Sequence, residues 1–152
     1  MRNVAWWLAY IIAAIWLQKF LPGVDALVPG LLICFQENSK RQTIIFLLFC
    51  MLIQEGTGTL PFGPSILWYG YVFACFHAGG LFFLPSGNSF ILGISTALCV
   101  GRACLFMIMG ELQSTPLDAQ DILFQCFGQA VITPLGWILA GKTRNKVLKN
   151  AH

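Results

Sequence analysis

Charged side chains are what this sequence has least of, since Asp, Glu, Lys and Arg make up only 10% of its 152 residues. Soluble domains carry about 25% charged residues, so this chain has too few polar side chains to cover a water-exposed globule. Hydrophobic residues make up 57%, and the mean hydropathy is +0.74. The composition therefore excludes an ordinary soluble fold and predicts an all-α membrane protein whose helices cross the bilayer several times.

The sequence also lacks the patterns of enzymes and metal sites. It has no HExxH or GxSxG motif and no pair of Asp residues in neighbouring apolar segments, so we expect no catalytic activity. Its six cysteines lie in apolar segments at spacings that fit no zinc site, and we expect them to pack as small hydrophobic side chains. We predict no cofactor, no metal and no nucleic-acid partner, because the net charge of +3 comes mainly from the C-terminus.

Six apolar segments, separated by turn residues and short polar breaks, predict a bundle of about six transmembrane helices in one membrane domain. Their ranges are 4–21, 24–35, 43–55, 64–84, 89–110 and 122–141. A straight crossing needs about 20 apolar residues, and the second and third segments are shorter than that. These two segments could tilt, extend into their polar flanks or cross only in part. Alternatively, they form the two halves of one re-entrant hairpin.

The positive charges predict the orientation of the bundle. A cytoplasmic N-terminus places Lys19 and the acidic loop around Asp118 on the outer side of the membrane. The cytoplasmic side then holds most of the basic residues, namely Arg2, Lys40, Arg41, Lys142, Arg144, Lys146 and Lys149. Because cytoplasmic loops are enriched in Lys and Arg, we expect both termini, with a basic tail at 142–152, to be cytoplasmic.

Small residues four positions apart predict how the fourth and fifth helices pack. Helices in lipid associate through close contacts at small side chains, so we expect one such stripe on each helix to form their contact. The stripes are Gly70, Ala74 and Ala78 on the fourth helix and Gly93, Ala97 and Gly101 on the fifth.

Two polar side chains inside apolar segments need partners. Arg102 lies within the fifth segment, where an unpaired charge costs at least ~2.5 kcal/mol, and we predict that it pairs with Glu55 at the end of the third segment. The alternative is an arginine whose side chain extends to the membrane interface. We expect His77, in the fourth segment, to form an interhelical hydrogen bond rather than to bind a metal.

The stretch from Leu52 to Ser65, LIQEGTGTLPFGPS, places an acidic residue at the end of an apolar segment and follows it with glycines and prolines. It resembles a motif of the MreD family of rod shape-determining proteins. That motif has an acidic residue at the end of the third span, then a turn of small residues, then a Pro-Leu-Gly ending. The residues that carry the resemblance are Glu55, Gly58, Pro61 and Gly63.

This resemblance implies a non-enzymatic scaffold of the cell-elongation machinery in the bacterial cytoplasmic (inner) membrane. Its expected contacts are the lipid bilayer, an MreC-like partner and proteins of peptidoglycan synthesis. The fold is also similar to that of the substrate-binding components of energy-coupling factor transporters, and such a component is the alternative function. A transporter would need a cavity lined by Glu55, Arg102 and aromatic residues such as Trp68 or Tyr69, whereas a scaffold would need a packed interior.

Overall fold

The computed structural model describes residues 2–56, 64–82, 87–113 and 119–149, and within these ranges all regular structure is α-helical, as predicted. Three of the helices, α4, α5 and α6, are long and apolar enough to cross a membrane. The six helices are α1 (Arg2–Phe20), α2 (Val28–Gln36), α3 (Lys40–Gly56), α4 (Pro64–Phe82), α5 (Asn88–Gln113) and α6 (Ala119–Lys149).

The surface of the bundle is apolar, while several of its buried side chains are polar. Large hydrophobic side chains are exposed on every helix except α2, and the most exposed include Leu81 (83%) and Phe127 (71%). Buried polar side chains include Asp25, Arg102 and Gln129. Soluble proteins keep most of their charged side chains in water, so this distribution suits a protein surrounded by lipid tails.

Successive helices run in opposite directions, so each end of the bundle contains starts of some helices and ends of others. The two ends are named here after Glu37 and Glu55. The Glu37 end contains the starts of α1, α3 and α5 and the ends of α2, α4 and α6. The Glu55 end contains the other terminus of each of these helices except that of α2. Helix α5 packs between α4 and α6, and α6 also contacts α1 and α2.

Helix α2 is much shorter than the others and is buried along almost its whole length. Its nine residues span about 13 Å, which is less than half of the ~30 Å hydrocarbon thickness of a bilayer. The residues before it, 21–27, are not helical, and Gly23 has a positive φ of 87°. The helix predicted over 24–35 therefore begins only at Val28, where Pro29 suits its first turn, and Asn38 adopts a positive φ just beyond its end.

Helix α6 is longer than its predicted segment. It has 31 residues and continues to Lys149, with Pro134 in its interior. The basic segment that was predicted as a tail, 142–152, is thus helical as far as Lys149. One of its basic residues, Arg144, is buried against the rest of the bundle rather than exposed.

The contact between α4 and α5 was predicted correctly, but only part of the stripe on α5, Ala97 and Gly101, contacts Tyr71 of α4, whereas Gly93 is exposed. The ring of Tyr71 packs onto Gly101, and its hydroxyl donates a hydrogen bond of 2.8 Å to the carbonyl of Ala97. The stripe predicted on α4 does not form this contact, because large side chains such as Tyr71 occupy the face towards α5, and only Ala78 of the stripe lines a groove between the two helices. The residues of that stripe, Gly70, Ala74 and Ala78, are exposed.

Candidate functional site

Asp25 lies at the centre of a buried polar network, in the non-helical segment before α2. Its side chain is 0% exposed. Oδ1 accepts hydrogen bonds from the backbone N–H of Leu27 (3.0 Å) and from Nε2 of Gln18 (3.1 Å). Oδ2 accepts a hydrogen bond from Nε1 of Trp68 (3.0 Å). The carboxylate thus connects α1, the start of α2 and α4, and each of these contacts uses it as an acceptor.

Gln129 of α6 holds the backbone of Asp25 from the other side. The backbone N–H of Asp25 donates to Oε1 of Gln129 (2.7 Å), and Nε2 of Gln129 donates to the Asp25 carbonyl (3.2 Å) and to Oγ1 of Thr133 (2.9 Å). Non-helical backbone in an apolar interior needs partners for its N–H and C=O groups. A single side-chain amide supplies both partners here.

Two glycines allow α6 to approach this segment closely. A Cβ atom added at Gly128 would lie 2.7 Å from Val24, and one added at Gly136 would lie 2.8 Å from Pro29. Both contacts are closer than ordinary packing distances, so larger residues would push α6 away from the segment. The position of the Gln129 amide therefore depends on small residues on either side of it in α6.

Arg102 is buried next to Asp25, with 4% exposure. Its Nη2 donates to the carbonyl of Gly23 (3.0 Å). The guanidinium carbon lies 4.9 Å from the ring centre of Trp68 and 5.0 Å from that of Phe106, which are distances of cation–π contacts. Trp68 therefore touches both charges, since its N–H faces the carboxylate of Asp25 and its ring faces the guanidinium.

The predicted pair between Arg102 and Glu55 is wrong. The carboxylate that interacts electrostatically with Arg102 is that of Asp25, and Glu55 is not among the contacts of Arg102 in the described part of the chain. The burial of Arg102 also excludes the alternative of a side chain that extends to the interface. The sequence did contain a signal for the true partner, because Asp25 is the only acidic residue inside the predicted segment 24–35.

Two of the remaining predicted site residues, Glu55 and His77, make none of the contacts of this network. Glu55 is partly exposed in the last turn of α3. His77 is exposed, and its Nδ1 contacts the carbonyl of Phe73 in its own helix (3.1 Å), so the predicted interhelical hydrogen bond is not formed in the described structure. The other three, Gly58, Pro61 and Gly63, lie outside the described residues.

A second polar cluster connects three helices at the Glu37 end. Nε and Nη2 of Arg144 both donate to the carboxylate of Glu37, the latter at 2.7 Å. The guanidinium also lies 5.2 Å from the ring centre of Trp6 and 4.8 Å from that of Trp7. This cluster therefore joins the start of α1, the end of α2 and the end of α6.

An apolar groove of about 240 Å³ lies between α4 and α5, away from Arg102. The aromatic residues that a substrate cavity would need, Trp68 and Tyr69, do not line it and are 2% and 0% exposed. The groove is lined by Cys75, Ala78, Gly79, Phe82, Phe90, Gly93, Ile94 and Ala97.

Within the described ranges, no three His, Cys, Asp or Glu side chains lie close enough together to hold a metal ion. Comparisons of the chain with models of protein families, with curated protein sequences and with solved structures found no match. The polar contacts inside the bundle and the charges at its two ends are thus the features that bear on function.

Proposed function

We propose that this chain is a multi-pass protein of the bacterial cytoplasmic membrane that acts as an MreD-like, non-enzymatic scaffold of the cell-elongation machinery. It contacts an MreC-like partner, and through it the proteins of peptidoglycan synthesis, by the outer faces of its helices. The observation that carries this proposal is that Arg102 and Trp68 are engaged by contacts inside the bundle. The guanidinium of Arg102 is held by the carbonyl of Gly23 and by the rings of Trp68 and Phe106.

This packing favours a scaffold over a transporter component. A substrate site needs polar and aromatic side chains that face an open cavity. Trp68 instead uses its N–H for Asp25 and its ring for Arg102, so neither group is free for a substrate. The apolar side chains on the outer faces of the helices supply the surface through which a scaffold contacts partner helices.

The charges at the two ends support an orientation with the Glu37 end in the cytoplasm. Lys19 and Glu111, which are exposed, and Glu55, which is partly exposed, belong to the Glu55 end, which carries little positive charge. The exposed basic side chains Lys40, Arg41, Lys142 and Lys146 belong to the Glu37 end. A fluorescent protein fused after residue 152 should fluoresce, while alkaline phosphatase fused at the same point should be inactive. An active phosphatase would contradict the orientation.

Isolation of the tagged chain from its own cells tests the scaffold proposal. The chain, at its native level, is extracted in a mild detergent, and the proteins that accompany it are quantified by mass spectrometry. The proposal expects an MreC-like partner and wall-synthesis proteins. Recovery of ATPase subunits would instead favour the transporter component, and recovery of neither set would also contradict the proposal.

A pair of charge reversals at the Glu55 end makes this experiment more specific. Because Glu55 is only partly exposed and belongs to the MreD-like motif, Glu55→Lys should reduce recovery of the partner. Glu111→Lys reverses an exposed charge in the last turn of α5 and serves as the matched control. Equal recovery with both variants would remove Glu55 from the partner contact.

A further inference from the structure

Four buried polar atoms in the Glu55 half of the bundle have no hydrogen-bond partner among the described residues. They are Oγ of Ser65, OH of Tyr69, Nε of Arg102 and Oε1 of Gln125. Among the described residues, the only other buried side-chain atom without a partner is Nε1 of Trp7, at the opposite end of the bundle. Buried polar atoms in folded proteins are nearly always hydrogen-bonded, so four exceptions in one region need an explanation.

These four atoms belong to one region around Gly23. Tyr69 interacts electrostatically with both Arg102 and Asp25. Ser65 precedes Tyr69 by four residues in α4, which places both on the same face of that helix. The side chain of Gln125 fills the space beside Gly23, whose carbonyl accepts the hydrogen bond from Arg102. Helices α4, α5 and α6 therefore each contribute at least one unpartnered atom to the part of the bundle around Gly23.

The charges of the region favour a neutral ligand. The carboxylate of Asp25 would repel an anion, and the guanidinium of Arg102 would repel a cation. The ligand must also both donate and accept, because Nε of Arg102 can only donate and Oε1 of Gln125 can only accept. The two hydroxyls can do either. Water meets these requirements and commonly satisfies buried polar groups of this kind.

We propose that Ser65, Tyr69, Arg102 and Gln125 form a binding site for a cluster of water molecules in the Glu55 half of the bundle. The site solvates the side of the Arg102 guanidinium that faces neither Gly23 nor an aromatic ring. It explains how the bundle holds this cation without a direct contact to a carboxylate of the described residues. The site concerns the same arginine as the scaffold proposal, but its test measures water beside Arg102 and not the recovery of partner proteins, so either proposal can fail without the other.

Solid-state NMR of the full-length, ¹⁵N-labelled protein in lipid bilayers tests the site directly. Magnetisation is transferred from water to the Nε–H of Arg102, whose signal is identified by its loss in Arg102→Lys. The reference is the backbone N–H of Leu98, which is 0% exposed and lies one turn away in the same helix. Transfer to Arg102 should be severalfold faster than transfer to Leu98. Equal rates would overturn the proposal.

A pair of serine variants gives a second measurement. In a dry site, Ser65→Ala would remove an unpartnered hydroxyl and leave the Tm unchanged or higher. If the hydroxyl binds water, the Tm should fall by about 2–4 °C. Ser95→Ala is the matched control, because Oγ of this buried serine donates to the carbonyl of Ile91 in its own helix, a bond that contributes little. The proposal requires both the fast transfer and the lower Tm, and failure of either contradicts it.

Discussion

Among the side chains that the structure describes, two arginines are buried, Arg102 and Arg144, and their environments contrast. Both are 4% exposed, and both lie about 5 Å from two aromatic rings. Arg144 donates two hydrogen bonds directly to Glu37, whose side chain is 27% exposed at one end of the bundle. Arg102 lies deeper, and its hydrogen bond goes to a backbone carbonyl rather than to a carboxylate.

The difference shows two ways of keeping a cation inside an apolar protein. At the Glu37 end, a direct ion pair suffices because the partner carboxylate still reaches solvent. In the interior, Trp68 separates the opposite charges of Asp25 and Arg102, and each charge is stabilised by several dipoles. We therefore expect the interior network to respond far more strongly to substitution than the ion pair at the end.

Asp25→Ala should cause the largest loss of stability. It removes the acceptor for three donors and leaves Arg102 without a balancing charge, a change that typically costs about 3–5 kcal/mol in a buried pair. The free energy of unfolding in mixed detergent micelles measures the loss. Asp25→Asn, which keeps an oxygen acceptor in the same place, is the control and should lose less. If both variants unfold like the parent protein, the network contributes nothing to stability.

Gly23→Ala should be the next most damaging change. A residue with a side chain is strained at the positive φ of this position, and Gln125 already occupies the space of the new Cβ atom. We expect a loss of about 2–3 kcal/mol, measured in the same way. Gly93→Ala, at a helical glycine with open space around it, is the control and should be neutral or slightly stabilising. Similar losses for both would mean that the Gly23 turn is not constrained.

A double-mutant cycle measures the coupling between the separated charges. Asp25→Asn and Arg102→Met should each destabilise the protein, and together they should cost about 1–2 kcal/mol less than the sum of the two. Additive effects would show that Asp25 and Arg102 act independently, despite the tryptophan between them.

The smallest effect is expected for Glu37→Gln. Because Glu37 is partly exposed, solvent screens its ion pair with Arg144, and we expect a loss of about 1 kcal/mol or less. Raising the salt concentration should weaken the pair in the parent protein and so shrink the difference between parent and variant. A loss as large as that of Asp25→Ala would erase the contrast between the two regions.

The helices could be predicted from the sequence because long apolar runs and turn residues are local features. The same reasoning found that α4 and α5 are neighbours. It failed for α2, because a single acidic residue near the start of an apolar segment does not show where the helix begins. The non-helical part of that segment, 24–27, depends on Gln129, more than a hundred residues away, which no local pattern reveals.

The candidate site was predicted only in part, for a related reason. The need of Arg102 for an internal partner followed from the cost of a charge in an apolar segment. The choice of Glu55 assumed that its carboxylate lies near the guanidinium, whereas the folded chain brings Asp25 there instead. The prediction that the small residues of α4 form its contact with α5 failed because small residues occur on lipid-facing surfaces as well as in helix contacts.

The hydrogen bonds between Gln129 and the Asp25 backbone also restrict the order in which the parts of the bundle can fold during synthesis. The non-helical segment is made early, but the side chain that satisfies its backbone belongs to the last helix. In lipid, unsatisfied N–H and C=O groups are costly, so until α6 arrives this stretch must remain helical, stay near water or be shielded by another protein. The final helix thus completes an earlier part of the chain, and truncation before residue 129 should leave the first half of the protein without its native backbone partners.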